Sequence, residues 1–270
     1  MKPLKFILMF VFLSVMAVIS IGCRADKRPT PQNNTSHKKP AGHFIGYSTP
    51  WDWARQNPTS FANALANNGL NYTIIEVDFK RDAAFIANWV RPFRDRGITV
   101  EIILVNWNTR NATLHPDSDF YKLVDELKAK VGSNGVIYMP ITEPGNRNNS
   151  SRERAKAGAW MRYGYNNLPG AKTICIKESW WGQGFRNQAQ YEEYHLCSES
   201  NDRTIKKGSN KISTNDCTPL IGASPATLYK QAKLYLKHKS SWSAYHANWA
   251  GPVQFDMERI SAIGQAIQES

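Results

Sequence analysis

From residue 43 onward, short apolar runs alternate with segments whose apolar residues recur at helical spacing, and this order narrows the fold more than any other feature. Strands are predicted over 43–48, 72–79, 98–106, 136–142, 172–178 and 243–248. Helices are predicted over 58–68, 83–96, 120–131, 152–166, 226–238 and near 257–267. The second strand alternates most clearly, with Ile75, Val77 and Phe79 on one face and Glu76 and Asp78 on the other. The apolar set should pack on helices, which turns the two carboxylates toward the inside. The helix over 83–96 gathers Phe85, Ile86, Trp89, Val90 and Phe93 on one face, with Pro92 as a kink. Gly69 and Gly97 follow two of the helices and act as stop signals.

Strand–helix alternation implies a parallel sheet covered by helices. Polar and aromatic residues close the predicted strands: Asp78, Asn106 with Trp107, Glu143, Glu178 with Trp180, and His246 with Asn248 and Trp249. A doubly wound sheet collects its ligand groups at one switch point, usually beside a glycine-rich turn. The chain has neither a G-x-G-x-x-G stretch nor a Walker A stretch. A (β/α)8 TIM-barrel-like fold instead brings every strand end to one mouth. It is therefore the expected α/β architecture of residues 43–270, with one strand missing or irregular.

Residues 183–223 interrupt the alternation and read as a polar loop laid over the strand ends. Cys197 and Cys217 lie in it and could close a disulfide around 19 intervening residues. A loop of that length is worth about 3 kcal/mol; two unpaired thiols are the other reading. Cys175 falls within a predicted strand and is expected as a small buried side chain.

The N-terminus carries Lys2 and Lys5, an apolar run from Phe6 to Ile21, and Gly22 before Cys23. Residues 1–22 have the form of a secretory signal. The stretch Ser20-Ile21-Gly22-Cys23 resembles the bacterial lipoprotein processing box, which implies that Cys23 is acylated and becomes the first residue. A plain cleaved signal, giving a secreted protein, and an uncleaved anchor remain the other readings. Residues 23–42, rich in Pro, Asn, Ser and Lys, form a tether that cannot bury a core. The expected location is the cell envelope, with a lipid anchor in the membrane.

Hydrophobic residues make up 41% and charged residues 21%, which excludes a disordered chain, and the single long apolar run excludes a polytopic membrane protein. The net charge is +12, and without Lys2 and Lys5 it is +10. An acidic polysaccharide is a partner this charge suits. No Lys/Arg stripe interleaved with aromatics occurs, so nucleic acid is not expected. No His/Cys/Asp cluster has metal-ligand spacing, and neither a metal nor a cofactor is expected. No Gly-x-Ser-x-Gly elbow points to an esterase.

The most informative stretch is Ile141-Thr142-Glu143-Pro144-Gly145-Asn146, which follows the fourth predicted strand. Here the chain resembles the clan A glycoside hydrolases, above all the cellulase-like family 5 barrels. In those enzymes the fourth strand ends in Asn-Glu-Pro, and the Glu is the general acid/base. Glu143-Pro144 matches the Glu-Pro pair, and Thr142 stands where Asn would. Asn67-Asn68-Gly69-Leu70-Asn71-Tyr72 resembles the entry to their second strand, and Asp95-Arg96-Gly97-Ile98-Thr99-Val100 the entry to the third. Leu168-Pro169-Gly170-Ala171-Lys172, leading to Trp180-Trp181-Gly182, is similar to the fifth strand and its aromatic end. The resemblance covers roughly residues 43–182. It implies a second Glu, the nucleophile, at the end of strand seven, but no Glu ends a predicted strand after residue 182.

Glycoside hydrolysis needs two carboxyl groups, one to protonate the leaving oxygen and one to attack the sugar or activate water. Glu143 is the candidate acid, on a strand whose Ile137, Met139 and Ile141 would share its face and raise its pKa. Glu178 and Asp78 are the candidates for its partner, with Glu76 and Asp52 in reserve. Trp51, Trp53, Trp107, Trp180, Trp181 and Trp249 follow strand ends and could floor a sugar groove. Asp52, Asn106, His246 and Asn248 could bond to hydroxyls. The expectation is an exported, membrane-anchored glycosidase acting on a poly- or oligosaccharide. A non-catalytic carbohydrate-binding lipoprotein on a degenerate glycosidase barrel is the other reading. A second carboxylate about 5–10 Å from Glu143 separates the two.

Overall fold

The computed structural model describes residues 43–48, 57–79, 81–105, 117–141, 151–175, 185–215, 220–245 and 257–270. Eight parallel strands close into a barrel: β1 (Ile45–Ser48), β2 (Tyr72–Asp78), β3 (Thr99–Val105), β4 (Val136–Met139), β5 (Ala171–Cys175), β6 (Tyr191–His195), β7 (Lys211–Thr214) and β8 (Ser241–Tyr245). Each strand pairs with the next, and β8 pairs with β1. Stepping across the pairs from Cys175 through Glu193, Ile212 and Ser241, and on around the ring, returns to β5 eight residues earlier. That stagger is the shear of 8 of a TIM barrel.

The helices are α1 (Pro58–Asn67), α2 (Ala83–Arg94), α3 (Asp117–Lys130), α4 (Ser151–Asn167), α5 (Pro225–Lys237) and α6 (Met257–Gln268). Local chemistry sets their ends. Asn57 caps α1 by accepting from the N–H groups of Thr59 and Ser60 at 3.0 and 3.1 Å, and Pro58 follows it. Asp82 caps α2 through the Ala84 N–H. Pro92 sits in the last turn of α2. Gly69 and Gly97 turn the chain out of α1 and α2 at positive φ, 75° and 70°.

Two apolar clusters follow from strand alternation. The outer one joins the helices to the outward strand residues, among them Ile75, Val77, Phe79, Val100, Ile102, Leu104, Tyr138 and Trp242. The inner one fills the barrel with Phe44, Tyr72, Ile74, Ile103, Val105, Ile137, Met139, Cys175, Tyr191, Ile212 and Tyr245. The two faces predicted for β2 are therefore the two faces observed.

Three expectations need correction. The barrel has all eight strands, so none is missing. Residues 183–223 are not one elaborated loop, because β6 and β7 lie within them. These strands are only 5 and 4 residues long and read YEEYH and KIST, since their inward residues meet a partly polar barrel interior. Such strands show no apolar run. The third correction concerns β4, where Ile137 and Met139 point inward but Ile141 packs with the outer cluster. The strand stops at Met139 and Pro140 follows, so the alternation does not carry through to Glu143.

Cys175 is buried in the barrel interior, as expected of a small side chain on a strand. Cys197 is disulfide-bonded, and its partner lies outside the described residues. Among the described residues no helix is long and apolar enough to cross a membrane.

Candidate active site at the barrel mouth

The strands deliver their last residues to one end of the barrel. Asp78 closes β2 there, half-buried, with Glu76 two residues below it on the same face. Ser48 closes β1, and its hydroxyl lies 2.7 Å from that of Ser243 on β8 while accepting from the Ile74 N–H at 3.1 Å. Cys175 closes β5, His195 closes β6 and Tyr245 closes β8. Among the sequence-predicted catalytic residues, Asp78 is therefore at the mouth. Glu143, Glu178, Trp51, Asp52, Asn106, Trp107, Trp180, Trp181, His246, Asn248 and Trp249 lie outside the described residues, as do Cys23 and Cys217.

Below the mouth the barrel interior holds an acidic centre. Glu101 on β3 and Glu193 on β6 are both fully buried. The Tyr72 hydroxyl donates to Glu101 Oε2. Burial, and next the neighbouring Glu193, hold the Glu101 carboxyl well above the usual carboxylate range. Burial beside Glu101 likewise raises the Tyr72 phenol far above its ordinary value, and Tyr191 is pushed up to about 12 for the same two reasons. These phenols are thus uncharged at neutral pH, and burial favours the protonated form of Glu101.

Glu193 connects this centre to the mouth. Its Oε1 accepts from Thr214 Oγ1 at 3.2 Å and lies 3.2 Å from His195 Nε2. The same ring nitrogen is 3.4 Å from Cys175 Sγ. The side chains stack as an aromatic plug of Phe44, Tyr72 and Tyr191 near the strand starts, a carboxyl layer of Glu101 and Glu193, and a mouth layer containing His195, Cys175 and Thr214. Phe44 and Tyr72 lie 4.9 Å apart ring to ring. Chemically, the arrangement sets a buried imidazole against a carboxyl group at the rim of a polar mouth.

Sequence reasoning missed Tyr72, Glu101, Glu193 and His195. Glu101 had a signal: it is the lone charge in a run of branched apolar residues, Thr99–Val105. A charge in a buried strand requires a partner, and the partner is not visible until β6 is placed beside β5. Among the described residues no group of three or more His, Cys, Asp or Glu side chains could hold a metal ion.

No family model and no curated protein matches the sequence. Solved structures match the fold. A glycoside hydrolase family 30 subfamily 8 xylanase from Clostridium acetobutylicum aligns with TM-score 0.57 and 13% identity, over 86% of this chain and 73% of that one. A β-mannanase from Thermomonospora fusca aligns with TM-score 0.54 and 13% identity, over 81% and 82%. The catalytic domain of an endoglucanase from Thermobifida fusca aligns with TM-score 0.53 and 10% identity, over 83% and 92%. The chain thus shares its barrel fold with these structures over more than four fifths of its length, including the part beyond residue 182.

Proposed function

We propose that the protein is an exported glycoside hydrolase that cleaves a poly- or oligosaccharide with two carboxyl groups. The observation that carries this reading is the closed eight-stranded barrel in which Glu143-Pro144 follows the end of β4. In a parallel barrel the loop after β4 opens onto the mouth, which is where catalytic groups of this fold stand. The fold shared with xylanase, mannanase and endoglucanase structures supports a sugar as the substrate class.

Glu143 is the proposed proton donor. Its partner is drawn from Glu178, after β5, and Asp78, at the end of β2. The placement of β7 adds Asp216, two residues past Thr214. The resemblance implies a nucleophile at the end of strand seven, and Asp216 is the carboxylate nearest in sequence to that position. Trp51, Trp107, Trp180, Trp181 and Trp249, with Asp52, Asn106, His246 and Asn248, are the proposed sugar contacts.

The chain is further proposed to be held at a membrane by acylation of Cys23, with Cys197 paired to Cys217. The bonded state of Cys197 and its place in the same polar segment as Cys217 support that pairing.

Incubating the purified chain with a panel of neutral and acidic polysaccharides, and measuring new reducing ends, tests the activity. Hydrolysis of at least one glycan is expected. Retention on a glycan with no cleavage would replace this reading with the non-catalytic binding protein. Intact-mass analysis of the N-terminal peptide tests the anchor: an unmodified terminus at another residue would refute it.

A further inference from the structure

Among the described residues the two ends of the barrel differ in charge. The mouth end carries Asp78, Asp82, Asp117, Asp119 and Glu258, with Arg81, Lys122, Lys130 and Lys156 beside them. At the other end, where strands begin, Arg203, Lys207, Lys211, Lys237 and Lys239 gather near the starts of β7 and β8. All except Lys211 are exposed. They form one patch. Asp202, beside Arg203, lies 3.1 Å from Lys237 and 2.6 Å from His238 Nε2. The register sets Ile212 against Ser241, which brings Lys211 level with the turn that holds Lys239. Among the described residues, Asp202 is occupied by the two basic side chains it contacts, and Glu192, opposite Lys211 in the register, is held by Arg186 and the Tyr194 hydroxyl.

Helix dipoles do not account for the patch. Lys237 lies in the last turn of α5, where a cation is favoured anyway. Arg203 and Lys207 belong to the β6–β7 connection, residues 196–210, which contains no helix. Their charge is not capping anything.

The chain enters the barrel beside this patch. Phe44, just ahead of β1, accepts from the Trp242 N–H at 2.8 Å and donates to the Ser241 hydroxyl at 2.9 Å, so the entry point touches the start of β8. The sequence leading to it is basic as well, with Arg24, Lys27, Arg28, Lys38 and Lys39 against Asp26. On the anchoring reading, the acylated Cys23 lies 20 residues ahead of His43 in the sequence. Screening confines surface electrostatics to about 8 Å, so only a face in contact with headgroups gains from them.

Resting on the anchoring reading above, we infer that the strand-start end of the barrel docks on anionic phospholipid headgroups through Arg203, Lys207, Lys211, Lys237 and Lys239. The docked barrel presents its mouth away from the membrane, toward a polymer that cannot reach the lipid surface. Each lysine held at an anionic surface raises partition by roughly fivefold.

The test is amine footprinting of the full chain in vesicles of phosphatidylcholine alone and of phosphatidylcholine with phosphatidylglycerol, with Cys23 acylation read by mass on the same sample. Labelling of Lys207, Lys237 and Lys239 should fall severalfold only when phosphatidylglycerol is present, and should recover at 0.5–1 M salt, where screening is nearly complete. Lys122, on α3, should label equally throughout. Protection without acylation would sink the anchor and keep the docking face. Acylated protein with equal labelling in both vesicles would overturn the docking and leave the anchor standing. Protection by soluble polygalacturonate, but not by anionic vesicles, would overturn it in favour of an acidic glycan on this face.

Discussion

The Tyr72 hydroxyl on β2 donates a hydrogen bond to the carboxyl of Glu101 on β3, in the middle of the barrel and fully out of solvent. An ionised Glu101 would stand beside Glu193 with no cation in contact. Burial and that neighbour favour the protonated acid.

This makes Glu101 a pH-dependent element of stability. An unfolded Glu titrates near about 4.3. Because the folded value is raised, the contribution is fully present below that pH and is lost as pH rises toward the folded value. Wild-type stability from this group should fall by up to about 1.4 kcal/mol per pH unit above the unfolded value. Glu101→Gln keeps the shape of the neutral acid and cannot ionise, so its slope between pH 5 and pH 8 should be flatter by up to one proton. Urea denaturation at the two pH values measures this, and equal slopes for both proteins would refute a neutral Glu101.

Glu143→Gln keeps size and hydrogen bonding but removes the proton. On a substrate found by glycan screening, turnover should drop by about 10²–10⁴ while binding persists. Asp78→Asn, Glu178→Gln and Asp216→Asn made singly then identify the partner. The true one costs nearly as much as Glu143→Gln, and a hydrogen-bonding neighbour costs far less. Wild-type turnover in Glu143→Gln would dismiss the assignment.

Gly46 sits where β1 comes closest to β2. A Cβ there would fall 2.5 Å from the Tyr72 carbonyl oxygen and 2.8 Å from its ring. A backbone oxygen cannot move aside without disturbing the register at Gly46 and Tyr72. Gly46→Ala should cost about 1–3 kcal/mol. A loss under about 0.5 kcal/mol in chemical denaturation, the range of neutral surface changes, would show that the seam yields.

Cys197→Ser should remove the stabilisation of a loop closed around 19 residues, about 3 kcal/mol, if Cys217 is the partner. Non-reducing peptide mapping decides the pairing. A Cys197–Cys23 peptide would refute it and would also remove the thiol that acylation needs.

Much of the architecture could be read locally. Alternation placed Ile75, Val77 and Phe79 against the helices, and apolar periodicity put the starts of α1 and α2 at residues 58 and 83, where the structure has them. The weakest part of the reading was the stretch holding β6 and β7. Glu192 is turned outward to Arg186 and Tyr194, and Glu193 inward to Thr214 and His195, so neither face of β6 has an apolar signature. Their strand character comes from the backbone pairing of β5 with β6 and of β7 with β8.

The sequence by itself therefore determined the parallel βα order and the inward and outward faces of the long strands, because helix and strand periodicity depend on neighbours a few residues away. Only the tertiary structure decided that the ring closes with eight strands, that Glu101 on β3 meets Glu193 on β6, and that His195 and Cys175 share a rim. Those contacts join residues 20 or more positions apart, up to 92 for the two carboxyls. They depend on barrel stagger, which no single segment encodes, since it emerges only when all eight pairings close on one another.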